Sequence, residues 1–141
     1  MEKYKKENIM KHSFEQRIHF YQCDPAGILY FANIYNIAHD AFEELFLLKY
    51  INLNDYKWYL LPIVHSEADY KKPLRFNDIV ETHMILESIG EHSFTFKYDI
   101  FNKSIGLVAA TVKITHTLIE TKTFQKVKLF PEIIEILNKF K

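Results

Sequence analysis

The segment from residue 23 to residue 31, CDPAGILYF, combines a carboxylate and a tight turn directly before an apolar run. Asp24 precedes a predicted helix, whose first backbone N–H groups lack partners within the helix and attract negative charge. The N–H groups near Gly27 to Phe31 can also polarise a carbonyl oxygen. Asp24 would then lie beside the activated carbonyl carbon, where it attacks directly or orients a water molecule. A thioester, which is already primed for acyl transfer, needs no stronger apparatus.

A purely structural role for Asp24 is the alternative. Aspartate is common in turns and before helices because its side chain accepts hydrogen bonds from nearby N–H groups. The intervening residues Pro25, Ala26 and Gly27 are a longer spacing than a simple helix cap requires. The residues of this segment leave both roles open.

A long helix is predicted after the turn, over YFANIYNIAHDAFEELFLLKY. Its polar residues recur every three to four positions and form one narrow stripe: Asn33, Asn36, His39, Asp40, Glu43 and Glu44. Most of the remaining circumference is apolar, which is typical of an enclosed helix. The rest of the chain must therefore surround it.

Alternating apolar and polar residues predict the strands that enclose this helix. One strand precedes the helix, from Phe14 to Phe20, and four follow it, at residues 64–70, 80–87, 94–100 and 108–118. Short turns between the last four predict an antiparallel meander, which the first strand completes. A final amphipathic helix begins at Pro131. We therefore predict an α+β hot-dog fold, in which a twisted five-stranded antiparallel sheet wraps around a long central helix.

The length and the aromatic content bear on domains and assembly. A chain of 141 residues fits one domain, and we expect a flexible leader at residues 1–12 and a single domain at residues 13–141. Hydrophobic residues make up 48% of the chain and aromatic residues 16%. This is more apolar surface than one small domain readily hides, which predicts contact between subunits.

Charge and cysteine content restrict the classes of partner. The 18 basic and 18 acidic residues balance, so a nucleic-acid-binding face is not expected. No stretch stays apolar for the ~18 residues that a membrane span needs, and the N-terminus lacks a signal-peptide core. Cys23 is the only cysteine, which excludes an intramolecular disulfide and argues against a structural zinc site. We expect a cytoplasmic protein.

Several side chains outside the turn are candidates for binding. Asn33 lies one to two helical turns beyond Asp24 and is a candidate for the wall of an acyl pocket. Lys71, Lys72 and Arg75 form a basic cluster that would attract phosphate groups at a pocket rim. The alternative for this cluster is an ordinary solvated surface.

The cysteine and the histidines predict little chemistry. Cys23 has no recognisable histidine partner, so we expect it to pack rather than to act as a nucleophile. No pair of histidines has HxxxH or HxH spacing, so no metal site is expected. His65, His83 and His92 are predicted on exposed strands or turns, whereas His116 is predicted in the core.

The run CDPAGI followed by LYFANIY resembles the signature of the 4-hydroxybenzoyl-CoA thioesterase family, and DYKKPLRFNDIVE resembles that family's second segment. The similarity spans roughly residues 12 to 130. It implies an acyl-CoA thioesterase without metal or redox cofactor, assembled as a homodimer or homotetramer with sites at the dimer interface. Asp24 matches the catalytic carboxylate, and Phe31 matches the residue whose backbone N–H binds the thioester carbonyl. The expected substrate-binding residues are Gly27, Tyr30, Asn33, Lys72 and Arg75.

A related branch, the Tol–Pal-associated acyl-CoA thioesterases, has a histidine where this chain has Phe31, so the side-chain base of that branch is missing here.

Two other functions fit the same sequence. The chain could instead hydrolyse acyl groups carried on an acyl-carrier protein. It could also be a non-catalytic module that binds acyl-CoA, although a pure binder has no need for a carboxylate beside the carbonyl.

Overall fold

The elements follow one another in the predicted order of strand, long helix, further strands and short helix. The computed structural model describes residues 12–52, 54 and 58–141, so all of the expected leader except His12 lies outside the described residues. The strands are β1 (Ser13–Arg17), β2 (Tyr59–Leu60), β3 (Ile63–Tyr70), β4 (Ile79–Ile89), β5 (Ser93–Asn102), β6 (Leu107–Thr117) and β7 (Ile119–Glu120). The helices are α1 (Asn33–Phe42), a π-helical turn (Glu43–Leu47), α2 (Leu48–Tyr50) and α3 (Pro131–Asn138). In the described part of the chain, no helix has the length and apolar character needed to cross a bilayer.

The predicted five-stranded antiparallel sheet is confirmed, in the order β1-β4-β5-β6-β3. Its inner face is clearest in β5, where Phe94, Phe96, Tyr98 and Ile100 are almost fully buried and alternate with half-buried residues. The strand β3 forms one edge of the sheet, and most of its residues are exposed. The edge strand therefore has neither face covered.

The central helix packs on this inner face. Its buried side chains are Ile34, Ile37, Ala38, Ala41, Phe42 and Phe46. Phe46 lies 5.6 Å from Phe96 and 6.0 Å from Phe94 between ring centroids. Burial of an aromatic or aliphatic side chain of this size stabilises a fold by about 1.5–3 kcal/mol, so the helix is held mainly by its apolar face.

Three local predictions were wrong. The strand β1 ends at Arg17 rather than Phe20, because the chain turns into a 3-10 helix at Phe20–Gln22, and Phe20 is 76% exposed. The helix begins at Asn33 rather than Tyr30, since the N–H of Tyr30 donates to the carbonyl of Gln22 at 2.9 Å. His83 was predicted on an exposed strand or turn, but it is buried, and its Nε2 lies 3.1 Å from a carboxylate oxygen of Glu81.

Candidate active site

The turn at Asp24 is closed by two short hydrogen bonds. The N–H of Gly27 donates to the Asp24 carbonyl at 2.9 Å, and the N–H of Ala26 donates to Asp24 Oδ1 at 2.8 Å. Gly27 has a φ of +82°, a conformation that disfavours side chains. This is an Asx turn, and it occupies one carboxylate oxygen. The other oxygen, Oδ2, has no hydrogen-bond partner among the residues that the structure describes.

The turn is anchored to the segment that follows β3. The N–H of Asp24 donates to the carbonyl of Ile28 at 2.9 Å, and the N–H of Leu29 donates to the carbonyl of Leu74 at 2.7 Å. An isolated antiparallel bridge also joins Ile28 to Arg75. These contacts place Asp24 next to residues 71–75 although about fifty positions separate them in the chain.

The carbonyl oxygens of Tyr30 and Phe31, just before α1, both accept hydrogen bonds. The Tyr30 carbonyl accepts the N–H of Asn33 at 2.9 Å. The Phe31 carbonyl accepts the N–H of Ile34 at 3.3 Å and the hydroxyl of Tyr70 at 2.6 Å. Within the described chain, neither Phe31 nor the next residue has an acceptor for its backbone N–H. The helix start thus offers unpaired donors, as the sequence predicted.

A cavity of about 430 Å³ brings the turn and the helix start together. Its apolar wall consists of Ile28, Leu29, Ile34, Pro73, Leu74, Ala109 and Ala110, and its other lining residues are Asp24, Tyr30, Phe31, Tyr70, Lys71 and Lys72. Asp24 is the only acidic residue in this lining. A mostly apolar cavity with a few convergent polar groups is typical of a small-molecule site.

The cavity contains four of the seven predicted site residues, namely Asp24, Tyr30, Phe31 and Lys72. The other three lie outside its lining. Gly27 shapes the turn, with no described atom within 4 Å of the position of an added Cβ. The side-chain amide of Asn33 donates to the carbonyl of Gln22 at 2.8 Å. The N–H of Arg75 donates to a carboxylate oxygen of Asp78 at 2.9 Å.

Two lysines mark the rim of the cavity. The backbone N–H groups of Lys71 and Lys72 both donate to the carbonyl of Ala109, at 2.8 and 3.0 Å. This shared acceptor fixes the backbone of both residues against β6. Both lysines are exposed, and they line the same cavity as Asp24 and Phe31.

Sequence reasoning missed Tyr70 and Gln22. Tyr70 lines the cavity and binds the Phe31 carbonyl, whereas the Gln22 carbonyl receives the N–H of Tyr30 and the side chain of Asn33. Burial, together with the neighbouring Tyr35, raises the pKa of the Tyr70 hydroxyl above its usual value near 10. Tyr70 therefore keeps its proton at neutral pH and acts as a donor. The sequence signal was weak, since Tyr70 completes an ordinary alternating strand.

Comparison with known proteins shows what the chain as a whole is similar to. Residues 18–137 match the thioesterase-like superfamily. The 1,4-dihydroxy-2-naphthoyl-CoA hydrolase of Nostoc punctiforme is 29% identical over 132 residues, which are 92% of this chain and 88% of that enzyme. The hydrolase of the same name from Gloeothece citriformis is 33% identical over 110 residues, covering 75% of this chain and 77% of the relative.

Solved structures share the fold of this chain. The 1,4-dihydroxy-2-naphthoyl-CoA thioesterase of Synechocystis has a TM-score of 0.80 with 21% identity, over 90% of this chain and 95% of that one. A hypothetical protein from Aquifex aeolicus has a TM-score of 0.78 with 26% identity, over 89% and 98% of the two chains. The predictions of a hot-dog fold and of a thioester hydrolase are confirmed, whereas the narrower 4-hydroxybenzoyl-CoA thioesterase family is not. The chain belongs to the thioesterase-like superfamily.

Proposed function

We propose that this protein hydrolyses acyl-CoA thioesters with an aromatic acyl group, using Asp24 as the catalytic carboxylate. The observation that carries the proposal is that Asp24 and Phe31, whose N–H is unpaired in the described structure, line the same cavity. Aromatic side chains of Tyr30, Phe31 and Tyr70 in the lining suit a planar acyl group. The relatives named 1,4-dihydroxy-2-naphthoyl-CoA hydrolases, and the resemblance to the 4-hydroxybenzoyl-CoA family, support an aryl substrate.

The helix start supplies the electrophilic half of the mechanism. The thioester carbonyl oxygen accepts a hydrogen bond from the N–H of Phe31. This bond becomes stronger as negative charge develops on the oxygen. One well-placed donor of this kind contributes about 3 kcal/mol to the transition state. The N-terminal end of the helix favours the same negative charge.

Asp24 supplies the other half of the mechanism by one of two routes. In the first, a carboxylate oxygen attacks the carbonyl carbon and expels the coenzyme A thiolate, and water then hydrolyses the mixed anhydride. In the second, Asp24 removes a proton from water, which attacks the carbon directly. Both routes consume one water molecule and release the free acid and coenzyme A.

The basic residues at the rim are proposed to bind the phosphates of coenzyme A. Lys71 and Lys72 line the cavity, and Arg75 lies three residues further along the same segment. Flexible cations at a rim attract phosphate without demanding a single geometry. This arrangement would leave the apolar interior of the cavity for the acyl group.

A homodimer or homotetramer is proposed as the assembly. Val64 is 58% exposed and Ile63 is 47% exposed on the edge strand β3, which also carries Tyr70 at the cavity. An exposed edge strand is a template for pairing with a second copy, and pairing there would bring the partner to the cavity.

The single cysteine, Cys23, is a free thiol, which suits the reducing cytoplasm that we propose as the location.

A hydrolysis profile tests the proposed function. The wild-type protein is assayed with a thiol-trapping dye against aromatic, short-chain and long-chain acyl-CoAs, and against the same acyl groups on an acyl-carrier protein. We expect the highest kcat/KM with an aromatic acyl-CoA. Faster release from the carrier protein would favour the carrier-protein thioesterase, and tight binding without thiol release would favour the non-catalytic module.

A further inference from the structure

One hydrogen bond links the edge of the sheet to the start of the central helix. The hydroxyl of Tyr70, the last residue of β3, donates to the carbonyl oxygen of Phe31 at 2.6 Å. This distance is at the short end of the range for O–H···O bonds. The two residues are 39 positions apart, so the bond depends on the tertiary fold and not on local sequence.

The geometry of the peptide group gives this bond its consequence. The Phe31 carbonyl and the N–H of Ala32 belong to one planar trans peptide, so they point in opposite directions. Fixing the carbonyl therefore fixes the direction of the N–H. The only other described donor to this carbonyl is the N–H of Ile34, at the longer distance of 3.3 Å. Tyr70 is thus the closer of its two partners.

The preceding peptide group is held in another way. The Tyr30 carbonyl, which shares a peptide with the N–H of Phe31, accepts the N–H of Asn33 at 2.9 Å. The side chain of Asn33 and the N–H of Tyr30 both bind the Gln22 carbonyl. The first peptide is therefore anchored to the chain before the turn, and the second is anchored to β3 through Tyr70.

We propose that Tyr70 is a positioning residue for thioester hydrolysis that acts through the N–H of Ala32, and this inference rests on the proposed role of the helix start in polarising the thioester carbonyl. Its hydroxyl holds the Phe31 carbonyl so that the helix start presents N–H groups, and not a carbonyl oxygen, to the reacting thioester. Without the hydroxyl, the Phe31–Ala32 peptide gains freedom to rotate. A carbonyl dipole turned toward the substrate would repel the oxyanion that develops in the transition state.

The environment of Tyr70 suits a donor. The side chain lines the cavity, and both burial and the neighbouring Tyr35 raise the pKa of its hydroxyl. The phenol consequently remains protonated throughout the neutral range. A carbonyl that accepts such a bond is further polarised, which makes the N–H of the same peptide a better donor.

The variant Tyr70→Phe removes only the hydroxyl. We expect kcat to fall about two- to tenfold, which is the effect of one net hydrogen bond, while KM stays unchanged because the anchor matters most when charge develops on the carbonyl. Tyr35→Phe is the matched control, since it removes a neighbouring phenol that makes no hydrogen bond to Phe31 in the described structure and should leave kcat unchanged. An unchanged kcat in Tyr70→Phe would overturn the inference.

A second pair of variants keeps the test decisive if Tyr70→Phe alters folding or assembly, which thermal unfolding and light scattering would detect. Tyr70→Gln restores an N–H donor at this position, whereas Tyr70→Met offers none at a similar length. We expect Tyr70→Gln to have the higher kcat of the two. Equal values would contradict a role for the donor.

A spectroscopic measurement separates this inference from the proposed function. The probe is an uncleavable coenzyme A ketone, in which a methylene group separates the carbonyl from sulfur. We expect its C=O stretching frequency to be lower on the wild-type protein than in water, and this lowering to be smaller on Tyr70→Phe. No lowering on the wild type would contradict the proposed clamp at the helix start. Equal lowering on both proteins would overturn the role of Tyr70 alone.

Discussion

At the scale of single residues, Asp24 uses its two carboxylate oxygens differently. Oδ1 accepts the N–H of Ala26 and closes the turn, so the structural role that the sequence allowed is real. Oδ2 is unbound in the part of the chain that the structure describes, and the residue lines the cavity. A carboxylate held by one oxygen is oriented without losing its capacity to react, because the other oxygen stays free for the substrate or for water.

The lysines at the rim give a prediction about binding. Replacing Lys71 and Lys72 together by alanine should raise KM for acyl-CoA about threefold at low ionic strength, because exposed cations attract phosphate only modestly. Salt should diminish the difference by screening, and kcat should stay unchanged. The measurement is steady-state kinetics at several salt concentrations.

Lys128→Ala is the control for this prediction, because that ammonium group pairs with Glu91 at 3.2 Å and lies outside the cavity lining. It should leave KM unaltered. If the variant lacking Lys71 and Lys72 keeps the wild-type KM at every ionic strength, these two lysines do not bind the phosphates.

The contrast between Asp24 and Tyr70 shows which site residues a sequence can predict. Asp24, Tyr30 and Phe31 belong to one short segment, and their placement follows from a turn that leads into a helix. The contact of Tyr70 depends on how the end of β3 meets the helix start, which periodicity does not specify. Asn33 was expected at the pocket wall, but its side chain instead binds the Gln22 carbonyl.

At the scale of secondary-structure elements, periodicity predicted the sheet well and the ends of elements poorly. The alternation in β5 is regular because one face is buried along the strand, and Phe94 and Phe96 on this face meet Phe46 of the central helix. The end of β1 is set by the 3-10 turn at Phe20–Gln22, and the start of α1 by hydrogen bonds such as the one from Tyr30 to Gln22, eight residues earlier. Propensity and pattern do not encode these particular partners.

Packing between β6 and the central helix includes an ionisable group. The His116 ring stacks on Phe42 and Phe94, with centroid distances of 4.5 and 5.3 Å, and its Nδ1 donates to the Leu61 carbonyl at 2.9 Å. Its Nε2 has no partner among the described residues. The pKa of His116 is lowered from 6.5 to about 4, mainly by burial; the Leu61 bond opposes this shift and nearby His39 adds to it. The prediction of a core histidine is confirmed.

This shift predicts how stability changes with pH. Between about pH 4 and 6.5, His116 binds a proton in the unfolded chain but not in the folded protein. The free energy of unfolding therefore falls as the pH is lowered through this window. Above the unfolded pKa the contribution is fully present. The loss attributable to His116 is about 3 kcal/mol at most. Urea unfolding at a fixed protein concentration measures it.

The variant His116→Phe should show a shallower pH dependence than the wild type across that window, whatever its stability at neutral pH. His65→Phe is the matched control, because the side chain of His65 is 61% exposed. Identical slopes for the wild type and His116→Phe would contradict this account of the core.

At the scale of the whole molecule, the aromatic-rich composition is only partly absorbed by the core. Among the residues that the structure describes, fourteen large hydrophobic side chains stay exposed, including Tyr30, Phe31, Val64 and Tyr70 near the cavity or on β3. Patches of this kind mark interaction sites. The sequence predicted subunit contact from composition, but only the sheet order shows that β3 is an edge available for it.

The proposed assembly through β3 gives the prediction at this scale. A lysine at position 64 should weaken pairing, because a charge on an edge strand opposes edge-to-edge contact. We expect the Val64→Lys variant to have a lower mass by light scattering than the wild-type oligomer, with reduced thioesterase activity. Ile105→Lys is the control, since Ile105 is also exposed (53%) but lies between β5 and β6. A monomeric wild type, or an unchanged mass for Val64→Lys, would refute assembly through this edge.

The central claim is that a carboxylate and the start of the enclosed helix act together on one carbonyl group, and Asp24→Asn tests it most directly. The asparagine amide oxygen can still accept the Ala26 N–H, so the turn and the affinity for acyl-CoA should persist. We expect kcat to fall by at least about 100-fold, while Asp99→Asn, which alters a carboxylate bonded to Thr111 outside the cavity lining, keeps normal turnover. Near-normal hydrolysis by Asp24→Asn across the acyl-CoA panel would contradict the account.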